Sequence, residues 1–228
     1  MSERGHDLRN ISVILLGTTV VQGIVDALGY MALGRVFTAN MTGNIVFLGL
    51  AIEGVQGLSF SRSLLALKFF SLGAVIGAGM TTGWDASRWA FRALSVQSFL
   101  LSVAAVVSLG FAPNNADNLF KVQSVIAATA AAMGFRYAIV RKLGGSDLTT
   151  SVLTLTIKGL AADSVLKGRP DPRWLWQCAA ILAMLSGAVA GAVMVRRSVA
   201  LPLFVCSIMS AVCTFAEYQI QSKGRPKL

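Results

Sequence analysis

The sequence predicts an all-α polytopic membrane protein, with six full transmembrane helices and two short or half helices built as two inverted repeats. Three observations carry that prediction. The chain of 228 residues is 55% hydrophobic and only 13% charged, with a mean hydropathy of +0.68, whereas soluble domains carry roughly a quarter charged residues. Its apolar residues gather into long runs separated by short polar pieces. Related segments then recur in the same order in the two halves.

Six runs are long enough, or nearly so, to cross about 30 Å of hydrocarbon at about 1.5 Å per residue. They are Ile11–Leu33, Leu64–Met80, Leu94–Phe111, Val122–Val140, Leu175–Val195 and Val199–Ala216. Thr38–Ile52 and Leu148–Leu160 are shorter, and as helices they reach only about 20 Å. Between the runs lie turn-rich pieces such as "APNNADN" and "LKGRPDPR", which suit loops at a membrane surface. The polar start "MSERGHDLRN" precedes a run too long and too Gly-rich for a signal peptide, so the first helix is expected to stay in the protein. Residues 1–228 therefore read as a single transmembrane domain, with repeat 1 at about 11–111 and repeat 2 at about 122–216.

The duplication rests on two matches in the same order. "GAVIGAGM" (Gly73–Met80) equals "GAVAGAVM" (Gly187–Met194) at six of eight positions. Upstream, "LGRVFTANMTGNIVFLGLA" (Leu33–Ala51) aligns with "LGGSDLTTSVLTLTIKGLA" (Leu143–Ala161), each placing Thr or Asn at the head of its short run. If the short runs cross the membrane, each half has four spans and the copies are parallel. If they dip in and return, each half has three spans and the copies are inverted, a recurrent plan of transporters. Basic residues arbitrate. With a cytoplasmic N-terminus, six spans leave only Arg35, Arg62, Lys121, Arg196 and Arg197 outside. Eight spans bring Arg62 and Lys121 in but move Arg88, Arg92, Arg141 and Lys142 out. The excess of Lys and Arg on cytoplasmic loops favours six spans and two cytoplasmic termini; Arg196 and Arg197 stand against it, and Glu53 needs a polar place on the return path.

Asp26 lies inside the first run. A carboxylate at a helix centre costs roughly 2.5–3.5 kcal/mol on insertion scales, so it is expected to face protein or water and to have a purpose. Aligning "GIVDA" (Gly23–Ala27) with "GFRYA" (Gly134–Ala138) puts Arg136 and Tyr137 opposite Val25 and Asp26. Inverted symmetry would bring Asp26 and Arg136 to one central interface, either as a coupling or gating pair with Tyr137 near it or as a static ion pair between two helices.

A short helix that starts within a membrane exposes unpaired N–H groups and the positive end of its dipole, tolerable only where it lines a cavity or binds something. Asn40, Thr42 and Asn44 suit such a tip, and Thr149, Thr150 and Thr154 play the same part in the second half, where Lys158 adds a cation. Two positive tips converging from opposite sides favour a small polar or anionic solute. The plainer alternative is that these residues cap ordinary short spans at the interface.

The net charge of +10 and a pI near 10.2 would suggest nucleic acid in a soluble protein, but here the cations sit in short loops and no nucleic-acid partner is expected. Cys178, Cys206 and Cys213 lie in apolar runs with no CxxC, and His6 is the single His, so they read as small buried residues and neither a metal nor another cofactor is expected. No Walker loop, HExxH or GxSxG is present, so the chain is not expected to be an enzyme. The GxxxG pairs Gly73/Gly77 and Gly187/Gly191 let helices pack backbone to backbone, within the chain or between copies of it in a homo-oligomer. Trp84, Trp89, Trp174 and Trp176 border apolar runs as interfacial anchors do.

Read together, "GIVDALGYMALGRVFTANMTGNIVFLGLA" resembles the YoaK-type family of bacterial membrane proteins, marked by Asp-Ala in the first helix, then Phe-x-Ala-Asn/His-Met-Thr-Gly-Asn and an apolar Leu-Gly-Leu run. The later "GF..A..R.LG" and "TT..LT" fit too, and the resemblance spans nearly the whole chain. Arg136 and Tyr137 depart from it, since the family pattern has amide side chains there. The resemblance implies a multi-pass protein of the bacterial inner membrane, a permease without an established substrate. Three functions stay open: a secondary transporter for a small polar or anionic solute with its site at mid-membrane, a passive aquaporin-like channel, and a non-transporting membrane scaffold subunit.

Overall fold

A computed structural model describes residues 2–80, 86–111, 119–142 and 174–223. They form seven helices: α1 (Ser2–Ala32), α2 (Met41–Ile52), α3 (Phe60–Met80), α4 (Ala86–Val107), α5 (Leu119–Lys142), α6 (Trp174–Val195) and α7 (Ala200–Lys223). Four stretches are long and apolar enough to cross a membrane: Val13–Ala32, Phe60–Met80, Cys178–Val195 and Ala200–Gln219. Two of the six expected spans fall short of that measure. Among the described residues of α4 the apolar stretch is Phe91–Val107, with Arg92 inside it. Helix α5 has the length, at 24 residues, but carries Lys121, Arg136, Arg141 and Lys142. The expected short run Leu148–Leu160 lies outside the described residues.

The core forms around α1, whose Val21, Ile24, Val25 and Leu28 are buried against residues of α4, α5 and α7. Large apolar side chains on α3, α6 and α7, such as Val75, Leu182 and Phe215, point outward. That pattern suits lipid, which removes the need to bury them.

Glycines set the closest helix contacts. A Cβ on Gly187 would overlap the Val20 carbonyl oxygen, and one on Gly191 would lie 2.8 Å from the Ile24 Cα. The contacts advance together along both chains, so α1 and α6 run in the same direction. Helices α3 and α5 repeat the arrangement: Gly73 meets Ala131 and Gly77 meets Phe135. The reciprocal contacts match as well, Gly23 on Met184 and Gly134 on Phe70. Thus Val20 stands to Gly187 as Ala131 stands to Gly73. Backbones at this separation leave room for no side chain, which is why glycine occupies these turns.

Helices α4 and α7 pack in opposite directions. Phe91 meets Tyr218, Gln97 meets Ser210, and Ser102 meets Ser207. The opposed sense also holds between α1 and α7, where Gly17 lies on Cys213 and Val21 on Cys206.

Adding one carbon tests this packing. Gly73→Ala and Gly187→Ala each force two backbones apart, and such overpacking costs about 1–3 kcal/mol. Gly49→Ala on α2 meets open space and gains up to about 1 kcal/mol of helix propensity. Thermal midpoints in detergent should therefore fall for the first two and hold or rise for the third; equal shifts in all three would refute the close-contact account.

Candidate functional site

The end of α1 begins the site. Gly34 takes φ +88° and Arg35 φ +57°, while the Arg35 N–H reaches back to the Tyr30 carbonyl. This is a left-handed helix stop of the Schellman type, with glycine where a side chain would be strained. The Val36 N–H then bonds the Gly29 carbonyl, and a Cβ on Gly29 would overlap the Val36 carbonyl oxygen. The chain therefore folds back against α1 and runs inward along it.

Asp26 stops that inward run. Its Oδ1 accepts the Thr38 N–H at 3.0 Å and the Ala39 N–H at 2.8 Å, and the Asn40 N–H also acts on the carboxylate. Asp26 lies six residues inside Ala32, about 9 Å along the helix axis. From that depth α2 starts and, at 12 residues, runs about 18 Å back toward the end of α1. There the Arg35 guanidinium donates to the Gln56 carbonyl at 3.2 Å and Arg62, in the first turn of α3, lies over Gly34.

The motif Phe37–Asn44 is largely consumed by this turn. Asn44, fully buried, accepts the Phe37 N–H at 2.9 Å and donates to the Phe37 carbonyl. Its side-chain amide thus pairs with one residue's backbone as a second strand would. Gly43 leaves room for the Phe37 ring, which would collide with any Cβ there, and that ring stacks on Phe47 at 5.1 Å. Asn40 caps α2, its Oδ1 accepting the Gly43 N–H at 3.4 Å. Thr42 is exposed. Of the residues expected to hold a solute, Asn40 and Asn44 are engaged in building the turn, and Thr149, Thr150 and Thr154 lie outside the described residues.

Arg136 and Asp26 approach each other without an ion pair. The Arg136 Nη2 donates to Gln22 Oε1 at 3.1 Å, and its charge acts on Asp26 and on Cys213 across a longer gap. Tyr137 points away, its ring tilted on Phe70 at 5.8 Å. Among the described residues, four buried polar atoms have no hydrogen-bond partner: Asp26 Oδ2, Thr38 Oγ1, Gln97 Oε1 and Arg136 Nε. Buried polar groups are nearly always satisfied, so each exception calls for an explanation.

Sequence reasoning missed Gln22, Gln97 and the polar seam between α4 and α7. In that seam Gln97 Nε2 donates to Ser210 Oγ at 3.0 Å, Ser98 donates to the Ser207 carbonyl at 3.0 Å, and Ser102 Oγ and Ser207 Oγ share a hydrogen bond. The signal was present: Ser98 and Ser102, and Ser207, Ser210 and Thr214, recur at helical spacing within apolar runs. Among the described residues no three His, Cys, Asp or Glu side chains come together to hold a metal.

Comparison with known proteins places these features in a family. A family model described as a protein of unknown function, DUF1275, matches residues 14–216. The chain is similar to the UPF0700 transmembrane protein YoaK of Bacillus subtilis (strain 168), with 38% identity over 160 residues covering 68% of this chain and 67% of that one. It is also similar to the UPF0700 transmembrane protein RA0705 of Rhizobium meliloti (strain 1021), with 27% identity over 216 residues covering 94% and 89% of the two chains. No solved structure matches.

The turn makes a separable prediction. Hydrogen bonds to a charged group are worth about 1.5–3 kcal/mol each, so Asp26→Leu should destabilise the chain by about 3 kcal/mol or more. Asp26→Asn keeps an acceptor for the same N–H groups and should lose less than half of that. Thermal unfolding of the two variants in detergent checks the order, and equal losses would remove Asp26 as the anchor of the turn.

Proposed function

The chain belongs to the family described as a protein of unknown function, DUF1275, and with that multi-pass membrane family as premise we propose that it is a secondary transporter, a permease for a small polar or anionic solute. One observation carries the reading: two ionisable side chains, Asp26 and Arg136, are buried where α1 and α5 approach, with unsatisfied polar atoms on each. Ionisable groups inside a membrane bundle are expensive and, as a rule, serve solute or ion pathways. A static strut would be expected to pair them.

The architecture proposed with it is six spans and two half helices in two inverted repeats, with both termini cytoplasmic in a bacterial inner membrane. Its support is directional. Exchanging the first half (α1, α3, α4) for the second (α5, α6, α7) turns the α1–α6 contact into the α5–α3 contact and leaves the α4–α7 contact on itself. Helices α4 and α7 run in opposite senses, as inverted copies require; parallel copies would run them the same way. The inward return at Asp26 supports a dipping α2, and the second half helix is proposed for Leu148–Leu160 from the sequence match alone. Discontinuous helices whose starts meet near the repeat interface are the usual place for a transporter's solute.

In mechanism, the chain's own groups divide the work. Asp26 holds the start of α2, so a change in its charge alters how firmly that start is held; Arg136 supplies positive charge across the interface. Transport then consists of the glycine-packed α1–α6 pair rocking against the α3–α5 pair around this point.

Purified protein in liposomes tests the reading against its rivals. Labelled short carboxylates, amides and polyols, offered with and without a pH gradient, should show saturable uptake for at least one solute, driven above equilibrium by the gradient. Asp26→Asn should cut that accumulation at least tenfold. Fast non-saturating equilibration without accumulation identifies a channel. Flux no greater than in protein-free liposomes, together with protection of Asn40→Cys from water-soluble thiol reagents, leaves only a scaffold.

A further inference from the structure

The buried charges of Asp26 and Arg136 are not equally satisfied. Asp26 shares its charge with the Thr38 and Ala39 N–H groups. Arg136, 8% exposed, has one hydrogen bond, to the neutral Gln22, and a buried Nε without a partner. The ionisable groups near enough to interact with it are Asp26 and Cys213, neither at ion-pair distance. A buried guanidinium left this way costs several kcal/mol unless an anion meets it.

Gln97 is linked to the surroundings of Arg136 through its neighbours on two helices. Fully buried on α4, it bonds Ser210 and leaves Oε1 unpartnered. Ser210 is one turn from Cys213, the residue that interacts with Arg136. Ala93, one turn before Gln97, packs on Phe135, the chain neighbour of Arg136, with Val96 alongside. Rotated half a turn about its terminal bond, the Gln97 amide keeps Ser210, whose hydroxyl then donates, and presents an N–H instead.

We propose that Arg136 and Gln97 bind the transported solute, and that the solute is a short-chain monocarboxylate. This deepens the transport reading above and rests on it. The Nε–H and one hydrogen of Nη2 lie along one edge of a guanidinium, and two parallel donors match the two oxygens of a carboxylate. The Gln97 N–H adds a third donor. One guanidinium meets one negative charge. Ala93, Val96 and Phe135 form an apolar wall beside it, suited to a tail of a few carbons.

Thermal unfolding of the purified full chain in detergent tests this with sodium formate, acetate and lactate against formamide, acetamide and lactamide, ionic strength being matched with sodium chloride. At least one carboxylate should raise the midpoint saturably by several degrees, and the amides should not. Arg136→Gln should abolish the shift, and Arg136→Lys, which keeps the charge and loses the two-pronged edge, should raise the half-saturating concentration at least tenfold. Without carboxylate, Arg136→Gln should melt at or above the parent, since an unmatched buried charge is gone; a strut to Gln22 predicts a lower midpoint. Should Arg136→Gln fail to fold, Arg136→Lys and Gln97→Leu read the same weakening.

No shift with any carboxylate, or one that survives Arg136→Gln, overturns the proposal. Stabilisation or flux with amides alone also overturns the anion assignment while leaving transport standing. Absence of flux for every solute removes the transport reading itself.

Discussion

The hydrogen bonds from the Thr38 and Ala39 N–H groups to the Asp26 carboxylate decide where the chain turns within the bundle, and the first half of the molecule is arranged around them. A chain leaving the end of a membrane helix would ordinarily pass into water, where its backbone is satisfied without cost. Here it goes back along α1, taking N–H groups into a region with little to receive them. The carboxylate receives two at once, and because it is ionisable it holds them more firmly than a neutral side chain. The remaining features of the turn follow from that inward path. Gly29 permits Val36 to lie on α1, Gly34 permits the reversal, and Asn44 closes the last open backbone pair at Phe37.

The second constraint is close backbone packing, which gives the helices few ways to move independently. Because glycine pairs hold α1 to α6 and α3 to α5 with no side chain between them, each pair behaves as one body built from both halves of the chain. The more polar contact is α4 against α7, joined by serine and glutamine side chains. Hydroxyl and amide contacts between membrane helices are worth little individually, averaging about 0.6 kcal/mol. A seam of that kind can re-form in a new register more readily than glycine-packed backbones can slide. Motion in such a bundle is therefore easiest at α4–α7, beside Gln97 and within a turn or two of the residues around Arg136.

Much of the architecture was legible in the sequence, and the physical reason is the solvent. Hydrocarbon tolerates few charges, so four spans declare themselves by composition, and the α1–α6 and α3–α5 contacts show in glycine because glycine is required wherever backbones touch. Asp26 was legible as a residue in need of partners for the same reason: a carboxylate in an apolar run has to be explained. Its partner was harder to find. Sequence alignment offers side chains as partners, and Arg136 was the natural candidate, yet the groups Asp26 holds are backbone N–H donors that every residue possesses and no alignment reveals. Asn44 misled in the opposite way, since an amide suited to a solute is equally suited to a strained turn. Gln97 and the serines of the α4–α7 seam were hidden by being individually unremarkable; only their spacing marks a face.

The separation of Asp26 from Arg136 bears on mechanism more than a contact between them would. Two opposite charges in a bundle can neutralise each other, and the pair is then complete: it offers a passing solute no charge and resists being opened. Divided, they keep distinct tasks. Asp26 is occupied with structure on α1, held by backbone dipoles that a neutral acceptor could also engage, while Arg136 on α5 retains donor capacity that its one hydrogen bond to Gln22 does not exhaust. Such an arrangement is costly in stability, and local conflicts of this sort persist where function requires them. The cost falls on α5, so in the proposed mechanism the residue that would receive the charge of the solute and the residue that fixes the turn sit on different glycine-packed pairs, α3–α5 and α1–α6.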